Sequence, residues 1–154
     1  MEYISTEEFL KQSKEVQEVF IDWWKPSIGD LFSWIKKDDR YEHDLRKLEC
    51  CNSDNIVEMT NSFKGTDDGD RIPLLSEGQL RKFIEDKTSG IIDIGYYGDS
   101  EGGYEIKIYK LDYKKDFILD DETGRFENYT FEELGKDLLQ AYWKVACEIA
   151  SKED

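Results

Sequence analysis

Apolar residues recur at helical spacing near the start of the chain: Phe9, Leu10, Val16, Val19, Phe20 and Trp23. Positions three and four apart share one face of a helix, so residues 6–24 are expected as a single amphipathic helix. Ser5-Thr6-Glu7-Glu8 has the form of a capping box, and Pro26 ends the run. Residues 26–30 read as a turn into a strand, Leu31 to Lys36. Ile28, Leu31, Phe32 and Ile35 also fit a helical period, but Pro and Gly within four residues favour extended chain. Residues 36–46 form a charged connection. Residues 45–51 and 55–63 are expected as the second and third strands, divided by Asn52-Ser53-Asp54. Gly65 to Asp70 reads as a loop.

Past Pro73, Ser76-x-x-Gln79 is a second capping box. Leu80, Phe83 and Ile84 predict a short helix to about Lys87, with Gly90 as its C-cap. Strict alternation follows. Ile92, Ile94 and Tyr96 share one face of a strand, and Tyr104, Ile106 and Ile108 share one face of its partner. A strand near 117–119, a turn at 120–124 and a partner at 125–129 come next. Thr130-x-x-Glu133 is a third capping box, with Tyr129 and Leu134 at staple positions. It predicts a final helix whose stripe is Leu134, Leu138, Ala141, Tyr142, Val145 and Ile149, widened by Leu139 and Trp143. The stripe is expected to pack on Ile92, Ile94, Ile106 and Ile108. Ser27-x-Gly29-x-Leu31 echoes Ser76-x-Gly78-x-Leu80, a coincidence too short to define a repeat. The pattern as a whole predicts an α+β fold: one domain over residues 1–154, a mostly antiparallel sheet, and N-terminal and C-terminal helices packed on it.

Length and charge narrow the function. The chain has 154 residues, two prolines and no Gly/Ser tract that would serve as a linker. Aromatics at 14% supply enough apolar area for a core despite 37% charged residues. A net charge of −15 disfavours direct nucleic-acid binding through a basic patch and adhesion to anionic membranes. No basic-then-apolar leader follows Met1, and no run is long enough to span a bilayer. Cys50, Cys51 and Cys147 form no disulfide framework, which points to reduced thiols in a cytoplasm.

Catalytic patterns are sparse. His43, the only histidine, lies among charged residues without a local partner. Three cysteines and one histidine lack the paired spacing of a zinc site. Asp67-Asp68-Gly69-Asp70 lacks the ligand alternation of a calcium loop, and Asp120, Asp121 and Glu122 read as turn formers. Gly95, Gly98, Gly102 and Gly103 fail as a phosphate cradle, since Asp99 and Glu101 repel phosphate and no helix follows. No cofactor, catalytic residue or metal ligand is assigned. Trp23, Trp24 and Trp34 lie within twelve residues. Adjacent Trp23 and Trp24 cannot both face inward, so one is a candidate surface anchor.

Three stretches carry a resemblance: Trp24 to Leu31, Ile72 to Lys87, and Leu138 to Trp143. They are similar to small proteins, of no assigned activity, encoded by phages and prophages of low-GC Gram-positive bacteria. The resemblance implies action in a bacterial host cytoplasm and transfers no site residue. The expected function is a non-enzymatic accessory protein that binds and modulates a host or phage protein with a basic surface, such as a nucleic-acid-handling or defence protein. Trp23, Trp24, Trp34, Asp67, Asp68 and Asp70 are the candidate contacts. The alternative is a carboxylate-based enzyme dependent on a divalent cation.

Overall fold

Helices and strands follow one another in the order α1 (Thr6–Leu10), α2 (Lys14–Trp23), β1 (Leu31–Lys36), β2 (Leu45–Cys50), α3 (Ile56–Ser62), β3 (Asp70–Pro73), α4 (Glu77–Thr88), β4 (Ile91–Tyr96), β5 (Tyr104–Tyr109), β6 (Leu119–Asp120), β7 (Arg125–Phe126), β8 (Asn128–Phe131) and α5 (Leu138–Ser151). The structure, a computed structural model, describes residues 2–36, 45–62, 70–98, 100 and 102–153. The fold is α+β, and all pairings between these strands are antiparallel. Contacts divide the chain into two compact units, Tyr3–Leu75 and a second that runs from Ser76. Among the described residues no helix is long and apolar enough to cross a membrane.

In Tyr3–Leu75 the sheet order is β2-β1-β3. The helix expected over 6–24 is broken in two. The Ser13 hydroxyl accepts from the Val16 N–H and starts a new helix. The buried Gln17 amide donates to the carbonyls of Leu10 and Gln12, which satisfies acceptors that the end of α1 leaves open. The strand expected over 55–63 is instead helix α3. Asn52 Oδ1 accepts from the N–H groups of Asp54 and Asn55, and Asn55 Oδ1 accepts from Asn52 N–H, a reciprocal cap that outweighs the β-branched composition. Ile56 and Met59 then turn to the core and Val57 to solvent. Strand β3 begins at Asp70, expected as the end of a loop, and runs through Arg71 to Pro73, for which the sequence predicts no element.

From Ser76 onward the sheet order is β4-β5-β8, with a two-stranded β6-β7 extension. The Ser76 capping box is present in both directions. The α4 C-cap, however, is Ser89, in the left-handed conformation at φ 54°. Gly90 serves a different need: a Cβ there would lie 2.6 Å from Ile108 Cγ2 and 2.7 Å from the Tyr109 carbonyl. The capping box at Thr130 is not used. Residues 128–131 pair with β5, and Glu133 and Gly135 take positive φ, so no helix can run through them. The final helix starts at Leu138, where Asp137 Oδ1 accepts from Gln140 N–H. Its buried stripe keeps Leu139, Ala141, Tyr142, Trp143 and Val145 and adds Ala146 and Ala150, while Leu138 and Ile149 are only half-buried. It packs against α4 and β5.

Candidate functional site

The three tryptophans converge on one core. Trp24 is 2% exposed and packs with Phe32, Cys51 and Met59, with Trp23 and Trp34 half-buried against them. Trp24 Nε1 donates to Asp30 Oδ2 at 3.1 Å, and the Ser27 N–H donates to the same oxygen at 3.0 Å. The carboxylate thereby ties the indole to the turn that leads into β1, and Trp24 is a core side chain with no surface to offer. Asp70 is exposed opposite Ile35 on β3. Asp67, Asp68 and His43 lie outside the described residues.

Of the three thiols, Cys50 is exposed, Cys147 half-buried and Cys51 buried. The Cys51 thiol is pushed up to about 11, chiefly by burial and then by the Asp30 carboxylate and Cys50. A thiol held in its protonated form is a poor nucleophile. The Tyr142 hydroxyl is raised by burial, with Arg81 opposing. The Lys107 ammonium is raised by Glu105, whose carboxylate lies 3.5 Å away. Among the described residues no group of three or more His, Cys, Asp or Glu side chains could hold a metal ion. The Gly103 backbone backs directly onto the Gly135 carbonyl, so Gly103 serves a chain crossing.

An apolar surface lies elsewhere, on the sheet face of β4 and β5 that carries Ile91, Asp93, Lys107 and Tyr109. Ile91 stands opposite Tyr109 in the register of β4 and β5. The Tyr109 ring meets Phe117 edge-on at 5.7 Å, and Phe117 meets Phe126 at 5.1 Å. Leu119 stands opposite Phe126. Ile91, Phe117, Leu119 and Phe126 are each 44–54% exposed, so one continuous apolar strip faces solvent.

Two aspartate-nucleated turns hold the strip. Asp112 Oδ1 accepts from the N–H groups of Lys114 and Asp116, which brings Phe117 back beside Leu111. Asp120 Oδ1 accepts from Glu122 N–H, and the Gly124 N–H returns to the Asp120 carbonyl, which closes the β6-β7 hairpin. Glu127 donates to the Ile118 carbonyl and accepts from Lys110 N–H, so the chain changes partners there and joins the hairpin to the sheet. Between Asp112 and Glu127 six acidic side chains outnumber three basic ones. The sequence predicts strands and a turn here, and the structure adds that their apolar side chains stay outside. No local signal marks this, because only the hairpin brings Phe117 and Phe126 together.

No family model matches the chain, and no curated protein or solved structure matches it.

Proposed function

We propose that this protein is a non-enzymatic accessory protein that binds and modulates a partner protein with a basic surface. The observation that carries this reading is the exposed set Ile91, Phe117, Phe126 and Leu119, joined through half-buried Tyr109 and set in an acidic surround. Aromatic side chains supply contact area, and the surrounding carboxylates steer encounter with a cationic partner. The anchor expected at Trp23, Trp24 and Trp34 thus moves to the unit that runs from Ser76. The resemblance to phage and prophage proteins supports a host nucleic-acid-handling or defence protein as the partner, met in the bacterial cytoplasm.

The test compares the wild type with the double variant Phe117→Ser and Phe126→Ser in capture from a bacterial lysate, followed by binding of the purified, identified partner. Raising salt from about 50 to about 500 mM contracts the Debye length from about 14 Å to about 4 Å. The expected result is a basic partner that the variant loses and that high salt releases. A partner held equally by the variant and at high salt, or turnover of a small molecule by the pure protein, overturns the reading.

A further inference from the structure

The β4-β5-β8 sheet ends at β4, and its backbone geometry shows which groups that edge presents. Tyr97 N–H donates to the Gly103 carbonyl at 3.0 Å. Bonded pairs alternate along an antiparallel ladder, so Gly95, Asp93 and Ile91 bond to β5 while Ile92 and Ile94 direct their N–H and C=O groups away from it. The same alternation, counted from Lys110 N–H on the Glu127 carbonyl, assigns the other side of β5 to β8. No strand among the described residues pairs with the outer edge of β4.

Sheet edges are usually protected by charge, proline or side-chain caps. Among the described residues, the outward positions Ile92 and Ile94 have none of these beyond the neighbouring Asp93 carboxylate. We propose that the outer edge of β4 is a strand-docking site for an extended partner segment with Lys or Arg at alternate positions and apolar residues between them. This rests on the basic-partner reading above and specifies how that partner is held. A strand added here extends the sheet face that bears Ile91 and Asp93, so it is continuous with the exposed strip. Asp93 is exposed, and Lys107, its cross-strand neighbour, is engaged by Glu105 at 3.5 Å. A cationic side chain on the incoming strand is therefore the complement of Asp93, and the apolar ones between fall on the opposite face, beside Ile92 and Ile94. A second copy of the chain is the competing occupant, but two chains of net charge −15 repel. Main-chain bonds would give affinity and the alternating side chains selectivity.

The probes are a synthetic octapeptide of alternating lysine and valine, the same peptide N-methylated at every second residue, and its glutamate–valine counterpart. The readout is amide hydrogen exchange resolved by residue in the full chain. The lysine peptide is expected to slow exchange at Ile92 and Ile94 by tenfold or more and to leave the already bonded Asp93 amide unchanged. N-methylation should abolish the protection, because it removes the donors that pair with the edge. Asp93→Lys should weaken the lysine peptide at least tenfold and admit the glutamate peptide. If the lysine peptide binds but neither amide is protected, the edge proposal is overturned and the basic-partner reading stands. If the glutamate peptide protects both amides as well as the lysine peptide does, the edge docks strands but the basic-partner reading fails. Protection of these amides by self-association of the chain alone overturns the proposed occupant, and absence of protection up to millimolar peptide overturns the site.

Discussion

The two units treat their aromatic side chains and their sheet edges in opposite ways. In Tyr3–Leu75, Phe9, Phe20, Trp24 and Phe32 are all within 2% of complete burial. From Ser76 onward, Phe83 and Tyr142 are buried just as deeply, yet Phe117, Phe126 and Leu119 remain at the surface. The edges differ in parallel. Counting the ladder from Leu74 N–H on the Leu31 carbonyl puts Pro73 at an outward position of β3, where a proline has no donor to expose. Strand β2 carries Arg46, Lys47 and Glu49, and its outward Cys50 carbonyl accepts from Asn55 Nδ2 at 3.0 Å. Among the described residues, strand β4 carries only the Asp93 carboxylate. A protein that needed only to stay folded and monomeric would protect both sheets alike, and the contrast supports the proposal that the second unit carries the binding surface.

The largest test of this contrast is a pair of truncations. Phe32→Ala removes a ring that is 1% exposed and should cost about 3–5 kcal/mol in a urea melt. Phe126→Ala removes one that is 47% exposed and should change stability by no more than about 0.5 kcal/mol while weakening partner binding. Equal costs would mean that the strip is part of a core.

A smaller effect comes from the thiol at the centre of the Tyr3–Leu75 core. The Cys51 thiol sits near 11 in the folded chain against an ordinary value of 9.0. Between those two pH values the unfolded chain releases this proton and the folded chain keeps it. The unfolded state binds fewer protons there, so stability falls as pH rises through that window, by on the order of 2 kcal/mol. Urea melts below and within the window should show the loss, and Cys51→Ala should remove this part of the pH dependence.

Asn55 tests the guarded edge more gently. Asn55→Ala removes both the donor to the Cys50 carbonyl and the acceptor for Asn52 N–H, and should cost about 1 kcal/mol. The variant should also associate at high protein concentration in sedimentation, because the β2 edge gains an open acceptor. A stable, strictly monomeric variant would show that Asn55 does not guard the edge.

The sequence was most legible where one local signal acted alone. Strands β4 and β5 and helix α4 follow directly from alternation, helical spacing and the Ser76 capping box. It misled where two local signals competed. Asn52 and Asn55 cap a helix through side-chain bonds that β-branched Val57 and Thr60 obscure. Thr130 and Glu133 match a capping box, but pairing of residues 128–131 with β5 is a long-range contact that no window of sequence contains. The candidate surface was hidden for the same reason. Phe117 and Phe126 are nine residues apart, and only the β6-β7 hairpin brings their rings together. Trp23, Trp24 and Trp34 looked like an anchor by proximity in sequence, whereas the Asp30 tether on Trp24 fixes its ring in the core.

The smallest expected effect lies at the cap that separates α4 from β4. Ser89 holds φ 54°, a left-handed conformation that costs a side-chain-bearing residue more than glycine. Ser89→Gly should therefore stabilise the unit that runs from Ser76 by about 0.5–1 kcal/mol, less whatever glycine loses in the unfolded chain. The change touches no side chain of the strip and no backbone group of the β4 edge, so it alters stability without altering the binding surface. Amide exchange should slow about two- to fivefold in α4 and β4, while β1 is unchanged. Partner affinity should stay at the wild-type value. Equal slowing in β1 would mean that the two units open as one cooperative body, and the contrast between a guarded sheet and an open one would then describe two faces of a single folding unit.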